Sequence, residues 1–270
     1  MLISQARLSD GHPLATPGAI EAMREHAIEA YPCEAIGYID RVGLYHRLKN
    51  IAAEPEKFAA ADGKIIAALM HRGDMRALFH SHPSGPDCPS QADMITQASF
   101  DLPFIICATN GQATAEPFAW GDDLIDERPL IGRAFRHGVD DCYSMIRAWW
   151  LKERGILLPD FPRQWEWWDA SDEQIEGDLY QRHFAEADFY PIAATDAREG
   201  DVWLAAIRSP VPNHAGVLLD RGLALHHAGL RREYDASRLS RRDPIARWLP
   251  FVTHWLRRDH CSGQSISTDR

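Results

Sequence analysis

The sequence predicts an α+β protein built as two units, and three observations carry that reading. At 270 residues the chain exceeds one average domain and can bury two cores. Over residues 1–120 helical and strand-like patterns alternate in the order αββαβαββ. Beyond residue 128 a helical segment comes first and a series of strand-like runs follows, again an α+β order. The expected boundaries are 1–120 for the first unit, 121–128 for an acidic, Pro-containing linker, 129–260 for the second unit and 261–270 for a polar tail.

In the first unit Thr16-Pro17 reads as a helix start, with Ile20, Met23, Ala27 and Tyr31 on one face until Pro32 stops it. EAIGYID and VGLYHRL are short β-like runs joined around Arg41. Asp62 can cap a helix through IIAALM, and MRALFHSH reads as a buried strand ending in two histidines. Ser90 opens another helix. PFIICAT suits an interior strand, and Asn110-Gly111 turns the chain into QATAEPFAW.

In the second unit Asp140 or Asp141 caps a helix CYSMIRAWWLKER that stops at Gly155. A Trp- and Pro-rich connection leads to a second helix that Ser171 and Gln174 can cap as a box. EGDVWLAAI, HAGVLLD and LALHHAG then read as strands, the last two joined at Arg221-Gly222.

Composition narrows the function. A net charge of −10 offers no broad basic field, which argues against nucleic acid as a partner. Five irregularly spaced cysteines suit a reducing compartment better than a disulfide framework. No stretch approaches the roughly 20 apolar residues that span a bilayer, and no export signal is legible, so neither membrane insertion nor secretion is expected.

Two constellations carry chemistry. His80 and His82 alternate along a strand and so face one side, where both can reach one ion. Asp93 offers an oxygen ligand from the next helix, completing the three protein ligands of a zinc site with an open fourth position. Ser90 lies one helical turn away and can face a developing oxyanion, while Glu34, at the start of the first strand of the hairpin, is the candidate proton carrier. Ser90-x-x-Asp93 is equally an ordinary capping box. The whole pattern, an acid followed by His-x-His, seven residues, Ser, two residues and Asp, resembles the JAMM (MPN+) metallopeptidases. That resemblance covers residues 10–120 and implies an α/β/α zinc domain that hydrolyses amide or isopeptide bonds. His80, His82 and Asp93 would be the ligands, Glu34 the general acid/base and Ser90 an oxyanion donor. Cys88 lies in the loop but outside the pattern.

The second constellation is Cys142 on the first turn of a helix, where the helix terminus is expected to lower a thiol's pKa. His214 opens a later strand and can act as its base. His226 or His227, on the following strand, can orient that imidazole, but adjacent strand residues face opposite ways, so only one can point to the site. Asp141-Cys142, Gly200-Asp201-Val202, His214 and His226 resemble the NlpC/P60 cysteine peptidases, over residues 128–250. The implied fold is papain-like and the implied substrate is the stem peptide of peptidoglycan. Cys-Tyr-Ser-Met-Ile departs from the Cys-Ser-Gly-Leu-Val common in that family. Trp149, Trp150, Trp165, Trp167 and Trp168 are either core or the lining of a substrate groove.

The two units in this order resemble the K family of tail assembly proteins of lambda-like phages. That resemblance implies phage tail-tip proteins as partners, synthesis in the host cytoplasm, a place at the tail tip and action at the cell wall. The alternative is an assembly or processing factor that degrades no wall.

Overall fold

The computed structural model describes residues 1–8, 11–100, 102–121, 124–169, 178–229 and 237–259. The chain divides into two compact units, Met1–Arg128 with Arg136–Val139, and Pro129–Phe135 with Asp140–Arg270.

In the first unit helix α1, Pro17–Ala30, is capped by Thr16, whose hydroxyl accepts from the Ala19 amide. A five-stranded sheet is assembled from β2 (Ile36–Asp40), β3 (Tyr45–Leu48), β4 (Met75–Pro83), β5 (Phe104–Thr109) and β6 (Phe118–Trp120), in the order β3-β2-β4-β5-β6. Only β4 and β5 run parallel, because helix α3 (Gln91–Phe100) carries the chain across between them. Strand β4 is buried along most of its length because both faces of the sheet are covered. Met23, Ala27, Ile39, Phe79 and Ile105 form one core. Ile66 and Leu69, from helix α2 (Gly63–His71), join Leu78, Phe104 and Phe118 in another on alternate strand positions.

Part of the segment expected as linker is structured. Leu124–Ile125 forms strand β7 and pairs antiparallel with β1, Arg7–Leu8, and Leu124 packs against the first core. A short apolar pair inside an acidic stretch gave no periodic signal, which is why it reads as linker.

In the second unit helix α4, Cys142–Arg154, starts on Asp141, whose carboxylate accepts from the Ser144 amide. It ends at Gly155 in the left-handed conformation, φ +68°. The expected Ser171/Gln174 cap lies outside the described residues. A short helix, α5, spans Leu179–His183 with Asp178 as its cap. The sheet is six-stranded and antiparallel. It contains β8 (Tyr190–Ile192), β9 (Val202–Ala205), β10 (His214–Leu218), β11 (Leu223–His226), β12 (Arg241–Pro244) and β13 (Val252–Arg257), in the order β12-β11-β10-β9-β13-β8. Met145, Ile146, Trp149 and Trp150 of α4 pack with Val202, Leu204, Ala215, Val217 and Leu225. Trp203, Ala205, Ala224 and Trp255 fill the opposite face. Trp149, Trp150 and Trp167 are therefore buried, whereas Trp165 and Trp168 are half-buried.

Candidate functional site

Strand β4 brings His80 and His82 to one face, and their Nε2 atoms lie 3.1 Å apart. Asp93, on the first turn of α3, places Oδ1 3.2 Å from His80 Nε2 and Oδ2 3.4 Å from His82 Nε2. A tetrahedral ion with bonds of about 2.0–2.1 Å holds its ligand atoms about 3.3 Å apart, so these three side chains have the spacing and donor types that suit zinc. His82 Nδ1 lies 3.1 Å from the Pro86 carbonyl, to which it can donate, leaving Nε2 as the lone-pair nitrogen. The buried Cys88 is not among the converging groups.

Ser90 and Asp93 do form a capping box. The Ser90 amide and hydroxyl both donate to Asp93 Oδ2 at 2.7 Å, and the Asp93 amide donates to Ser90 Oγ at 3.1 Å. The box fixes the carboxylate that faces the two histidines, so capping and ligation are compatible in one residue pair. Burial opposes ionisation of Asp93, but hydrogen bonds with His80 and His82 hold its carboxyl well below the usual range.

Glu34 lies two residues before β2 rather than inside it. In the antiparallel β2–β4 register Ile36 faces His80, and continuing that register sets Glu34 across from His82, on the same face. Its backbone is pinned: the amide donates to the Pro55 carbonyl and the carbonyl accepts from Asn50 Nδ2. Burial pushes its carboxyl pKa up, while the neighbouring histidines pull it back.

The second cluster lies in the C-terminal unit. His214 Nε2 sits 3.2 Å from His226 Nδ1, and His226 Nε2 sits 3.0 Å from Asp243 Oδ2 on β12. Trp248 lies against both imidazoles, with ring centroids 4.9 and 4.5 Å away. Trp203 crosses the same face where a Cβ at Gly216 would come within 2.5 Å of its indole, so only glycine fits there. His227 points the other way, its Nε2 bonded to the Arg238 carbonyl. It is His226, not His227, that meets His214.

Cys142 does not have the lowered pKa expected from its helix terminus. Its thiol is pushed up to about 11, by burial first and then by the adjacent Asp141 carboxylate. Its side-chain hydrogen bond goes to Tyr180 Oη at 3.1 Å rather than to His214, and the Ala215 backbone, next in chain to His214, also bonds it. Burial together with the neighbouring His226, His227 and Arg241 pushes the His214 pKa down. Thiol and imidazole are therefore both neutral at rest. Arg163 makes a two-pronged pair with Asp141, at 2.8 and 3.1 Å, and donates to Ser144 Oγ, which fixes the first turn of α4.

Comparison with known proteins finds two domain families in the chain. Residues 16–120 match the family of prokaryotic homologs of the JAB domain, and residues 115–250 match the NlpC/P60 family. The tail tip assembly protein K of Escherichia phage N15 is 30% identical over 215 residues, spanning 77% of this chain and 83% of that protein. Its counterpart in Escherichia phage lambda is 34% identical over 191 residues, spanning 70% and 81%. The chain belongs to the tail tip assembly protein K family. A Thermus thermophilus protein described as a probable TtuB-protein conjugate cleaving protease is 32% identical over 105 residues, 35% of this chain and 68% of that protein.

The K-family chain thus carries two peptidase-family domains in N- to C-terminal order, and among the described residues no helix is long and apolar enough to cross a membrane. Sequence reasoning did not find Tyr180, Arg163 or Asp243. Tyr180 sits on a five-residue helix and meets Cys142 only through the fold, 38 residues away in sequence, and Asp243 lies in Arg-Arg-Asp-Pro, which shows no alternation of apolar and polar residues. Asp201, part of the Gly-Asp-Val signature, pairs with Arg257 and accepts from the Arg198 amide, a structural role joining β9 and β13.

Proposed function

We propose that this K-family chain is a peptidase with two sites: a Cys/His site that cuts peptidoglycan stem peptides, and a zinc site that cuts an amide or isopeptide bond in a protein. The observation that carries the first is the buried His214–His226 pair beside the first turn of α4, where Cys142 sits. Because thiol and imidazole are both neutral at rest, His214 takes the thiol proton as the sulfur attacks the carbonyl and returns it to the leaving amine. The Cys142 side chain turns from Tyr180 towards His214 for that step. His226 orients the imidazole.

At the N-terminal site His80, His82 and Asp93 would hold zinc. When bound, the ion supplies Lewis acidity, polarising a carbonyl and bringing a water's pKa to about 7. Glu34 carries the proton from the water to the leaving amine. Ser90 donates to the oxyanion once its hydroxyl is released from Asp93. Support for a conjugate-type protein substrate comes from the description of the Thermus relative. Partners are stem peptides and tail-tip proteins, and the setting is the host cytoplasm during assembly, then the tail tip and the cell wall.

A second reading, an assembly or processing factor that cuts no wall, is favoured by one observation: the Cys142 thiol rests protonated on Tyr180. Inhibitor crossover on the intact chain separates the two. Thiol alkylation is expected to stop muropeptide cleavage while a chelator leaves it running; cleavage that a chelator abolishes without unfolding the protein contradicts the assignment.

A further inference from the structure

The hydrogen-bonded chain from His214 does not stop at His226. It continues to Asp243, which is buried, on a strand that sequence patterning does not reveal. We infer that Asp243 is a positioning residue that sets the tautomer of both imidazoles and so decides which nitrogen of His214 is the base. The inference rests on the cysteine-peptidase reading above and adds a fourth member to it.

The argument is one of donors and acceptors. A carboxylate only accepts, so the 3.0 Å contact to Asp243 Oδ2 requires the proton of neutral His226 to sit on Nε2. His226 is fully buried, and burial holds its pKa at about 4, so at neutral pH the ring has one N–H. Its Nδ1 is then a bare acceptor, and the 3.2 Å contact requires His214 to place its own proton on Nε2. That leaves Nδ1 of His214 as the lone-pair nitrogen, available to take the thiol proton: the S–H bond breaks, an N–H bond forms, and the resulting imidazolium is countered through His226 by the Asp243 charge. Without the carboxylate the opposite sequence is equally well bonded, with His226 Nδ1–H donating to His214 Nε2 and the proton of His214 on Nδ1, where it cannot act as a base.

Asp243 is itself held in place. Arg241 Nε donates to Oδ2 at 3.1 Å and Arg247 Nη1 reaches Oδ1 at 3.4 Å. Across the β11–β12 ladder Asp243 pairs with Ala224, two residues before His226 on the same face. Trp248 lies over the two rings and limits water that would otherwise offer either proton arrangement.

The test reads tautomers directly, by long-range proton–nitrogen correlation of the imidazole rings in the full, isotope-labelled chain at neutral pH, alongside muropeptide kinetics. The wild type is expected to carry Nε2–H on both His214 and His226. Asp243→Ala is expected to move His214 towards Nδ1–H and to lower kcat about tenfold or more with KM little changed. Asp243→Asn, whose amide oxygen can take the Oδ2 position under Arg241, is expected to restore the Nε2–H form and most of kcat. A wild-type His226 protonated on Nδ1, or an unchanged His214 tautomer in folded Asp243→Ala, overturns the inference. If no variant cleaves muropeptides, the peptidase reading fails but the tautomer measurement still decides the role of Asp243.

Discussion

The reversal at Cys142 gives a quantitative prediction. With the thiol near 11, about one molecule in 10,000 is thiolate at pH 7, against about one in 30 for a thiol at its ordinary value of 8.5. Iodoacetamide should therefore modify native Cys142 about 300-fold more slowly than an unperturbed cysteine, and the rate should climb about tenfold per pH unit from 7 to 10 without a plateau. A thiolate–imidazolium pair preformed with His214 would instead react at a flat rate from below pH 7. Peptide-resolved mass spectrometry is the assay, since Cys33, Cys88 and Cys107 are also cysteines outside any disulfide. Asp141→Asn should shift the curve to lower pH, because it removes the second cause of the raised pKa while asparagine still caps the Ser144 amide. A plateau at or below pH 7 in the wild type would refute the neutral-pair reasoning.

Three further outcomes follow from the same geometry. Arg163→Met removes the guanidinium that makes a two-pronged pair with the buried Asp141 carboxylate, at a cost of about 3–5 kcal/mol, so the melting temperature of the C-terminal unit should fall by about 10 °C or more, as differential scanning calorimetry would show. His226 is depressed from 6.5 to about 4, so its contribution to stability is fully present above pH 6.5 and lost as pH falls towards 4; at about 1.4 kcal/mol per tenfold this is about 3 kcal/mol, measurable by urea unfolding across that window. Wild-type protein should bind zinc and melt higher with it, whereas His80→Ala removes one of three ligands and should hold far less metal by elemental analysis.

Much of both sites is legible in the sequence because the chemistry sits on short-range patterns. His-x-His on a strand, Ser-x-x-Asp on a helix turn and Asp-Cys at a helix start each fix a local geometry that the fold does not change. What escaped depends on distant partners. The Cys142 thiol illustrates this: the half-charge of a helix terminus favours the thiolate, but desolvation and the Asp141 carboxylate outweigh it, and neither can be summed from sequence. Asp243 and Tyr180 reach their partners across 17 and 38 residues, separations that no local pattern encodes. Likewise β8 is a three-residue strand centred on a proline, and β12 and β13 are polar or mixed in pattern, so the six-stranded sheet reads as three strands until its pairing is known.

The most direct measurement is mass spectrometry of purified muropeptides incubated with the wild type, His80→Ala and Cys142→Ala. The expected result is cleavage of the stem peptide by the wild type and His80→Ala, and none by Cys142→Ala. Cleavage that survives in Cys142→Ala, or none from a folded, zinc-loaded wild type, contradicts a wall peptidase built on Cys142.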